Sequence, residues 1–185
     1  LTTLDVSNWD TSQVTDFQNF ARGCSSLTTL DVSTWDTSQV TNFQNFARDC
    51  SSLTTLDVSA WNTSQVTDFA VFAFGCSSLT TLDVSNWDTS QVTDFRVFAR
   101  GCSSLTTVTV NGGTGNPFAD SPCTNYNNAF INTDLDQGSI DDILVAIEAA
   151  GTSNGDFDQS GGSAPSATGE TAIDALRGRG WTISV

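Results

Sequence analysis

The sequence has no lysine, no histidine and no methionine, and its only six cations are arginines set against 21 acidic residues. A net charge of −15 argues against nucleic acid as a partner, because phosphate binding needs clustered Lys and Arg to release counterions. An anionic membrane is disfavoured for the same reason. Without histidine there is no Ser–His or Cys–His pair for nucleophilic catalysis, and with no CxxC pair either, a zinc site has no ligand set. No Gly-rich phosphate loop follows a strand pattern. Among 19 Asp nothing singles out the two carboxylates that glycoside hydrolysis would need. These absences predict a protein that is not an enzyme. The sequence also shows no signal peptide and no membrane-spanning run. A chain that starts on Leu1 and holds no Met is expected to be a processed piece of a longer one, with further coils upstream.

What is present is repetition. Thr2 to Phe17 reads TTLDVSNWDTSQVTDF, and nearly the same letters return at Thr28, Thr54 and Thr80. The period is 26, from Leu1 to Ser26, Leu27 to Ser52, Leu53 to Ser78 and Leu79 to Ser104, and Leu105 to Val110 begins a fifth copy before the register breaks. Nothing is inserted or deleted between copies. A unit this short cannot bury an apolar face alone, so each copy must use its neighbours as its core. With 12 Phe and 5 Trp the acidity does not mean disorder.

Within a coil, Leu4 and Val6 alternate with Thr3 and Asp5, which predicts a short strand with one apolar face. SNWDTSQ favours a turn, since Ser, Asn and Asp side chains satisfy nearby backbone groups. Val14, Phe17, Phe20, Ala21 and Cys24 then fall at spacings of three and four. That spacing predicts a short helix or 3₁₀ turn, with Thr15 or Asp16 as N-cap and Gly23 near its end. Strand, turn, short helix and return make the layout of a leucine-rich repeat. The expected fold is therefore an α/β repeat solenoid. It is a right-handed leucine-rich-repeat-like coil with a parallel sheet on one face, short helices or 3₁₀ turns on the other, and a small α/β cap.

Identical positions become columns about 4.8 Å apart, so the array spans on the order of 20 Å. Trp9, Trp35, Trp61 and Trp87 should stack, each burying roughly 150–250 Å², a gross term of about 4–6 kcal/mol per ring. Cys24, Cys50, Cys76 and Cys102 form an interior column whose parallel side chains argue against bridging, and they read as small buried hydrophobes. Cys123 stands outside the register, and a Cys102 to Cys123 bridge is open.

Two surfaces are candidate sites. On the strand face Thr29, Thr55 and Thr81 form one column and Asp31, Asp57 and Asp83 another. This is either a recognition surface for sugar or protein, with Ca²⁺ a candidate because oxygen ligands suit it, or a hydrogen-bonded Asp/Thr ladder. On the helical face the copies diverge: Ala70, Val71 and Phe74, then Arg96 and Val97, stand where the first two coils have Gln, Asn and Arg, while Arg100 matches Arg22 and Arg48. An apolar cluster outside the core marks a partner contact, or else drift at unconstrained positions. No metal site is expected from the remaining residues.

After Val110 the register breaks at NGGTGNP, and 111–185 should form a capping module over the open core of 1–110. Ser139 and Asp142 should open a helix through Ala150, stopped by Gly151. A second helix is expected from about Glu170 to Arg177, a strand at Asp156 to Gln159 and another in WTISV, with Trp181 tucked under the cap.

The coil LTTLDVSNWDTSQVTDFQNFARGCSS closely resembles the 26-residue bacterial surface protein repeat, the BspA-like leucine-rich repeat. LDVSxWDTSxVTDF and GCSSL carry the resemblance from Leu1 to Val110. Members of that family typically have two Met and a Phe where this chain has Phe17, Phe20 and Ala21. The tail, from LDQGSIDDILVAIEAAG to LRGRGWTISV, looks like a closing module that follows such arrays in marine phage and bacterial proteins. The resemblance implies an extracellular adhesive protein, on a bacterial surface or a phage tail fibre, that binds a cell-surface glycan or protein. It carries over no catalytic residue. A self-associating subunit of a surface fibre or virion is the alternative. The regular Thr columns also admit a remote ice-binding reading, which the adjacent Asp column fits poorly.

Overall fold

Where Leu and Val alternate with Thr and Asp, the chain is extended and its carbonyls face the next coil. In the computed structural model, which describes residues 1–113, 115 and 117–185, β1 (Thr3–Leu4) pairs in parallel with β2 (Thr29–Leu30), and Thr29 bridges on to Thr55. Two coils further, β3 (Thr81–Asp83) pairs in parallel with β4 (Thr107–Thr109). Leu27, Leu53, Leu79 and Leu105 are fully buried, as are Val32, Val40, Val66 and Val92, whereas Val14 of the first coil is half-buried.

The aromatic columns sit between strand side and turn side. Consecutive indoles from Trp9 to Trp87 lie nearly parallel, 6.4 to 6.5 Å apart. A phenylalanine stacks into each step, Phe17 on Trp35 at 4.5 Å, Phe43 on Trp61 at 4.4 Å and Phe69 on Trp87 at 4.3 Å. Each inner indole N–H also has a partner one coil back. Trp35 Nε1 donates to the Val6 carbonyl, Trp61 Nε1 to Val32 and Trp87 Nε1 to Val58, at 3.1 to 3.2 Å. Tryptophan thus supplies apolar area and a cross-coil hydrogen bond together.

The segment from Val14 to Cys24 is not a helix. It is a run of turns, because its amides divide between two directions. Phe20, Arg22 and Cys24 donate within the coil, to Phe17, Asn19 and Ala21, whereas Phe17, Asn19, Ala21 and Gly23 donate to Asn42, Gln44, Phe46 and Arg48 of the next coil. Left-handed backbone at Asn19 (φ 61°) and Gly23 (φ 75°) produces the alternation, and it recurs at Asn45 and Asp49, Val71 and Gly75, and Val97 and Gly101. A helix would direct every amide along its own axis and leave the edge facing the next coil unpaired. Isolated parallel bridges Asp16↔Asn42, Asn42↔Asp68 and Asp68↔Asp94 mark this second ladder.

The second ladder does not stop at the fourth coil. Phe95, Val97, Ala99 and Gly101 donate to the carbonyls of Asn125, Asn127, Ala129 and Ile131 in β5 (Asn125–Thr133), at 2.8 to 3.2 Å. β5 then pairs in parallel with β6 (Asp156–Gly161), and β6 with β7 (Thr182–Ser184). The register has moved: Tyr126 stands 31 residues after Phe95 and Phe118 31 after Trp87, against 26 within the array. The five additional residues lie in the break at 111–117, of which Thr114 and Asn116 are outside the described residues. Gly113 and Gly115 there serve close approach: a Cβ on either would lie 2.3 to 2.4 Å from the carbonyl oxygen of Ser85 or Trp87, well inside van der Waals contact.

The helix α1 (Gln137–Ala149) starts at Asp136, whose carboxylate accepts from the Ser139 amide at 2.7 Å. Ser139 lies inside the first turn and accepts the Val108 amide instead, so the expected Ser139 start is three residues late. Likewise α2 (Ala167–Gly178) is capped by Ser166 rather than opening near Glu170. Arg179 ties the helices together, donating to the Glu148 carboxylate at 2.9 Å and to its carbonyl at 2.7 Å. Trp181 is buried, donates to the Thr152 carbonyl at 3.0 Å and lies 6.1 Å from Tyr126.

Candidate functional site

Strand-face Asp is held by its own turn. Asp31 Oδ1 accepts from the Ser33 amide at 3.1 Å and its hydroxyl at 2.7 Å; Asp57 does the same with Ser59, and Asp83 accepts the Ser85 amide at 3.0 Å. The Ser33 hydroxyl, and then its amide, hold the Asp31 carboxyl below its usual range, and Ser7 does so for Asp5. One oxygen of each carboxylate is thus committed to the backbone, and the other is left to solvent. Beside them Thr29, Thr55 and Thr81 are exposed. Shallow depressions run between neighbouring coils, one lined by Thr29, Asp31, Thr55 and Asp57 and the next by Thr55, Asp57, Thr81 and Asp83. Strand geometry therefore brings all six predicted residues onto one face. Among the described residues no three His, Cys, Asp or Glu side chains are grouped to hold a metal ion.

The same Asx arrangement recurs twice more in each coil. Asp10, Asp36, Asn62 and Asp88 accept from Ser12, Ser38, Ser64 and Ser90, while Asp16, Asn42, Asp68 and Asp94 accept the amide two residues on. Much of the negative charge is thereby turn chemistry: Asp and Asn stand where a side-chain oxygen must cap the backbone. The serine partners of the strand-face Asp are the functional detail that strand alternation alone does not reveal. Their signal was the D-x-S spacing in every coil.

The turn face needs two corrections. Ala70 is fully buried, so it is not part of an exposed patch: its carbonyl accepts the Asn45 amide, and its own amide caps onto Asp68. Val71, Phe74, Val97 and Arg100 are half-buried and Arg96 is exposed. Phe74 is also not a bare apolar side chain, because the Arg48 guanidinium lies 5.2 Å from its ring centroid, within cation–π range. Arg96 pairs with Asp94 at 3.0 Å. Burial holds the Asp68 carboxyl above its usual range despite its backbone hydrogen bond.

The cysteines are all free. Cys50, Cys76 and Cys102 donate to the carbonyls of Ala21, Ala47 and Ala73 of the preceding coil at 3.0 to 3.1 Å. The open Cys102 to Cys123 bridge is absent, because Cys123 is engaged with Asn125 beside Phe95 in another column. Burial pushes the Cys50 thiol up to about 12 and the Cys123 thiol up to about 11.

Two further depressions lie elsewhere. One, of about 510 Å³, is a mostly apolar groove between α1 and α2 lined by Val145, Ala172 and Ala175 among others. The other, of about 450 Å³, lies at the bend between the third and fourth coils, beside Ala60, Asn62, Asn86 and Asp88.

Residues 1–111 match the family described as Mycoplasma protein of unknown function, DUF285. The chain belongs to the DUF285 family. The match ends where the 26-residue register ends, so the DUF285 region is the array together with its fifth strand. No curated protein and no solved structure matches the chain. Among the described residues of this DUF285 protein, no helix is long and apolar enough to cross a membrane.

Proposed function

We propose that the DUF285 array is a non-catalytic extracellular recognition module, a leucine-rich-repeat solenoid of the BspA-like kind, that binds a cell-surface glycan or protein from a bacterial or virion surface. The supporting observation is the pair of exposed columns on the strand face. Thr29, Thr55 and Thr81 are exposed and line the same depressions as Asp31, Asp57 and Asp83, each of whose Oδ1 is held by its own turn. No arginine stands on that face, so it suits a hydroxyl-rich or cationic ligand better than an anionic one. A repeated coil offers an extended rigid surface for such a ligand. The test is a glycan and cell-surface binding array, run with Ca²⁺ and with chelator. Saturable binding that is lost in an Asp57→Ala/Asp83→Ala double variant is expected, and unchanged binding by that variant sinks the assignment. Loss with chelator would make the carboxylates cation ligands.

A second reading, self-association through the turn face, is favoured by the backbone of Val71 (φ 62°) and Val97 (φ 59°). A β-branched residue in the left-handed region is strained, and strain kept at a half-exposed site is an argument for use. Light scattering that finds only monomer at high concentration removes this reading.

A further inference from the structure

Every coil carries the letters Thr-Ser after a variable acidic or amide position: Asp10, Asp36, Asn62 and Asp88. Only the third coil has Asn there, and Asn62-Thr63-Ser64 is the one Asn-x-Ser/Thr sequence in the chain, the pattern that accepts an N-linked oligosaccharide. We propose that Asn62 is an N-glycan acceptor, modified at Nδ2; the proposal rests on the extracellular reading above.

Three structural observations bear on it. Asn62 is exposed, between the turns at 59–60 and 64–65 and outside the strand positions. Its turn uses Oδ1 alone, which accepts from the Ser64 amide at 3.1 Å and the Ser64 hydroxyl at 2.8 Å. Nδ2 has no hydrogen-bond partner among the described residues. A glycosylated amide keeps Oδ1 as an acceptor, so the modification leaves the turn intact. The third coil also has Ala60 where the others have Asn8, Thr34 and Asn86. Thr34 and Asn86 use their side chains to donate to Ser7 and Ser59 of the preceding coil. Alanine makes no such bridge, and its short side chain lines, with Asn62 and Asn86, the depression of about 450 Å³ on the side of the fourth coil. Space for a first sugar residue thus lies beside the one coil that bears the acceptor.

The transfer needs a polyprenyl-pyrophosphate-linked oligosaccharide as co-reactant. A bond forms between Asn62 Nδ2 and the anomeric carbon as the bond from that carbon to the pyrophosphate oxygen breaks. The pyrophosphate leaves with the electron pair, and the amide gives up one proton. Transfer takes place on the extended chain during export, and the coil then closes around an amide whose Oδ1 is unchanged.

The test is secretion of the whole chain behind a cleavable leader from a eukaryotic cell, followed by intact-mass measurement and peptide mapping. Oligosaccharide on the peptide that contains Asn62 is expected, lost completely in Asn62→Asp and in Ser64→Ala. The Asn62→Asp variant restores the residue of the sibling coils and should fold normally, which separates a missing acceptor from a missing fold. A secreted chain with Asn62 bare, while a control glycoprotein from the same cells is occupied, overturns the proposal. Occupancy is read without reference to glycan binding, so a blank binding array leaves this result standing and the reverse also holds.

Discussion

Tyr126 stacks on Phe95 with ring centroids 5.4 Å apart and planes 6° from parallel, as Phe95 itself stacks on Phe69 at 5.7 Å and 9°. A residue from the tail has taken a place in the aromatic column of the array, and Phe118 packs edge-to-face against Phe95 beside it, with centroids 5.0 Å apart. The last core face is closed by side chains continuing the column rather than by an unrelated lid.

Truncating that junction should therefore weaken the whole chain. Tyr126→Ala is expected to cost about 3–5 kcal/mol, the usual loss for a fully buried aromatic. The denaturant midpoint, followed by Trp fluorescence, checks it. An unchanged midpoint would mean that the cap does not support the array.

Val71→Asn is expected to stabilise. Asn occupies the same left-handed position at Asn19 and Asn45 in the first two coils, and relieving a β-branched residue there is worth about 1 kcal/mol. A rise in thermal midpoint, with any concentration-dependent association reduced, is the expected result. A fall would show that the packing of the Val71 side chain outweighs its backbone strain.

Asp68 and Asp31 should respond to pH with opposite signs. Asp31 has a folded-state pKa below its ordinary value of 3.8, so its contribution is present above that value and fades as pH falls through the lower, folded one. Asp68 is raised above 3.8 by burial, so the folded state is favoured by its protonation and loses that advantage as pH rises through the raised value. Asp68→Asn, the residue already present at Asn42, should stabilise at pH 7 and make no difference below the ordinary carboxylate range. Urea midpoints across pH for both proteins provide the measurement.

Thiol labelling of the native protein should reach Cys24 alone. It is half-buried, while Cys50, Cys76, Cys102 and Cys123 are buried, and a thiol pushed up to about 12, as at Cys50, holds almost no thiolate at neutral pH. Mass spectrometry should count one modified Cys before denaturation and five after. Reducing agent should leave the melting temperature unchanged.

Several features could be read from single letters. Trp9, Trp35, Trp61 and Trp87 recur without a gap, and an ungapped repeat puts like residues side by side, so the indole column was legible. So was the exposure of Thr29 and Asp31, because strand alternation assigns faces. The burial of Ala70 was not, since a spacing of three and four assumes a helix, and the left-handed residues at Val71 and Gly75 turn the segment differently. Nor was the resumption of the second ladder at Asn125, because Tyr126 and Phe130 lie five residues out of phase and look unrelated to the coil.

By itself the sequence determined the 26-residue unit, the identity of each column and the presence of two helices in the tail. These depend on interactions between residues close in the chain, or exactly one period apart, and both can be counted in letters. Tertiary structure alone decided that the segment from Val14 to Cys24 would be turns and that the tail would take up the ladder. The amides of Phe17, Asn19, Ala21 and Gly23 choose between a partner inside the coil and one in the next, and the second exists only when the next coil is in place.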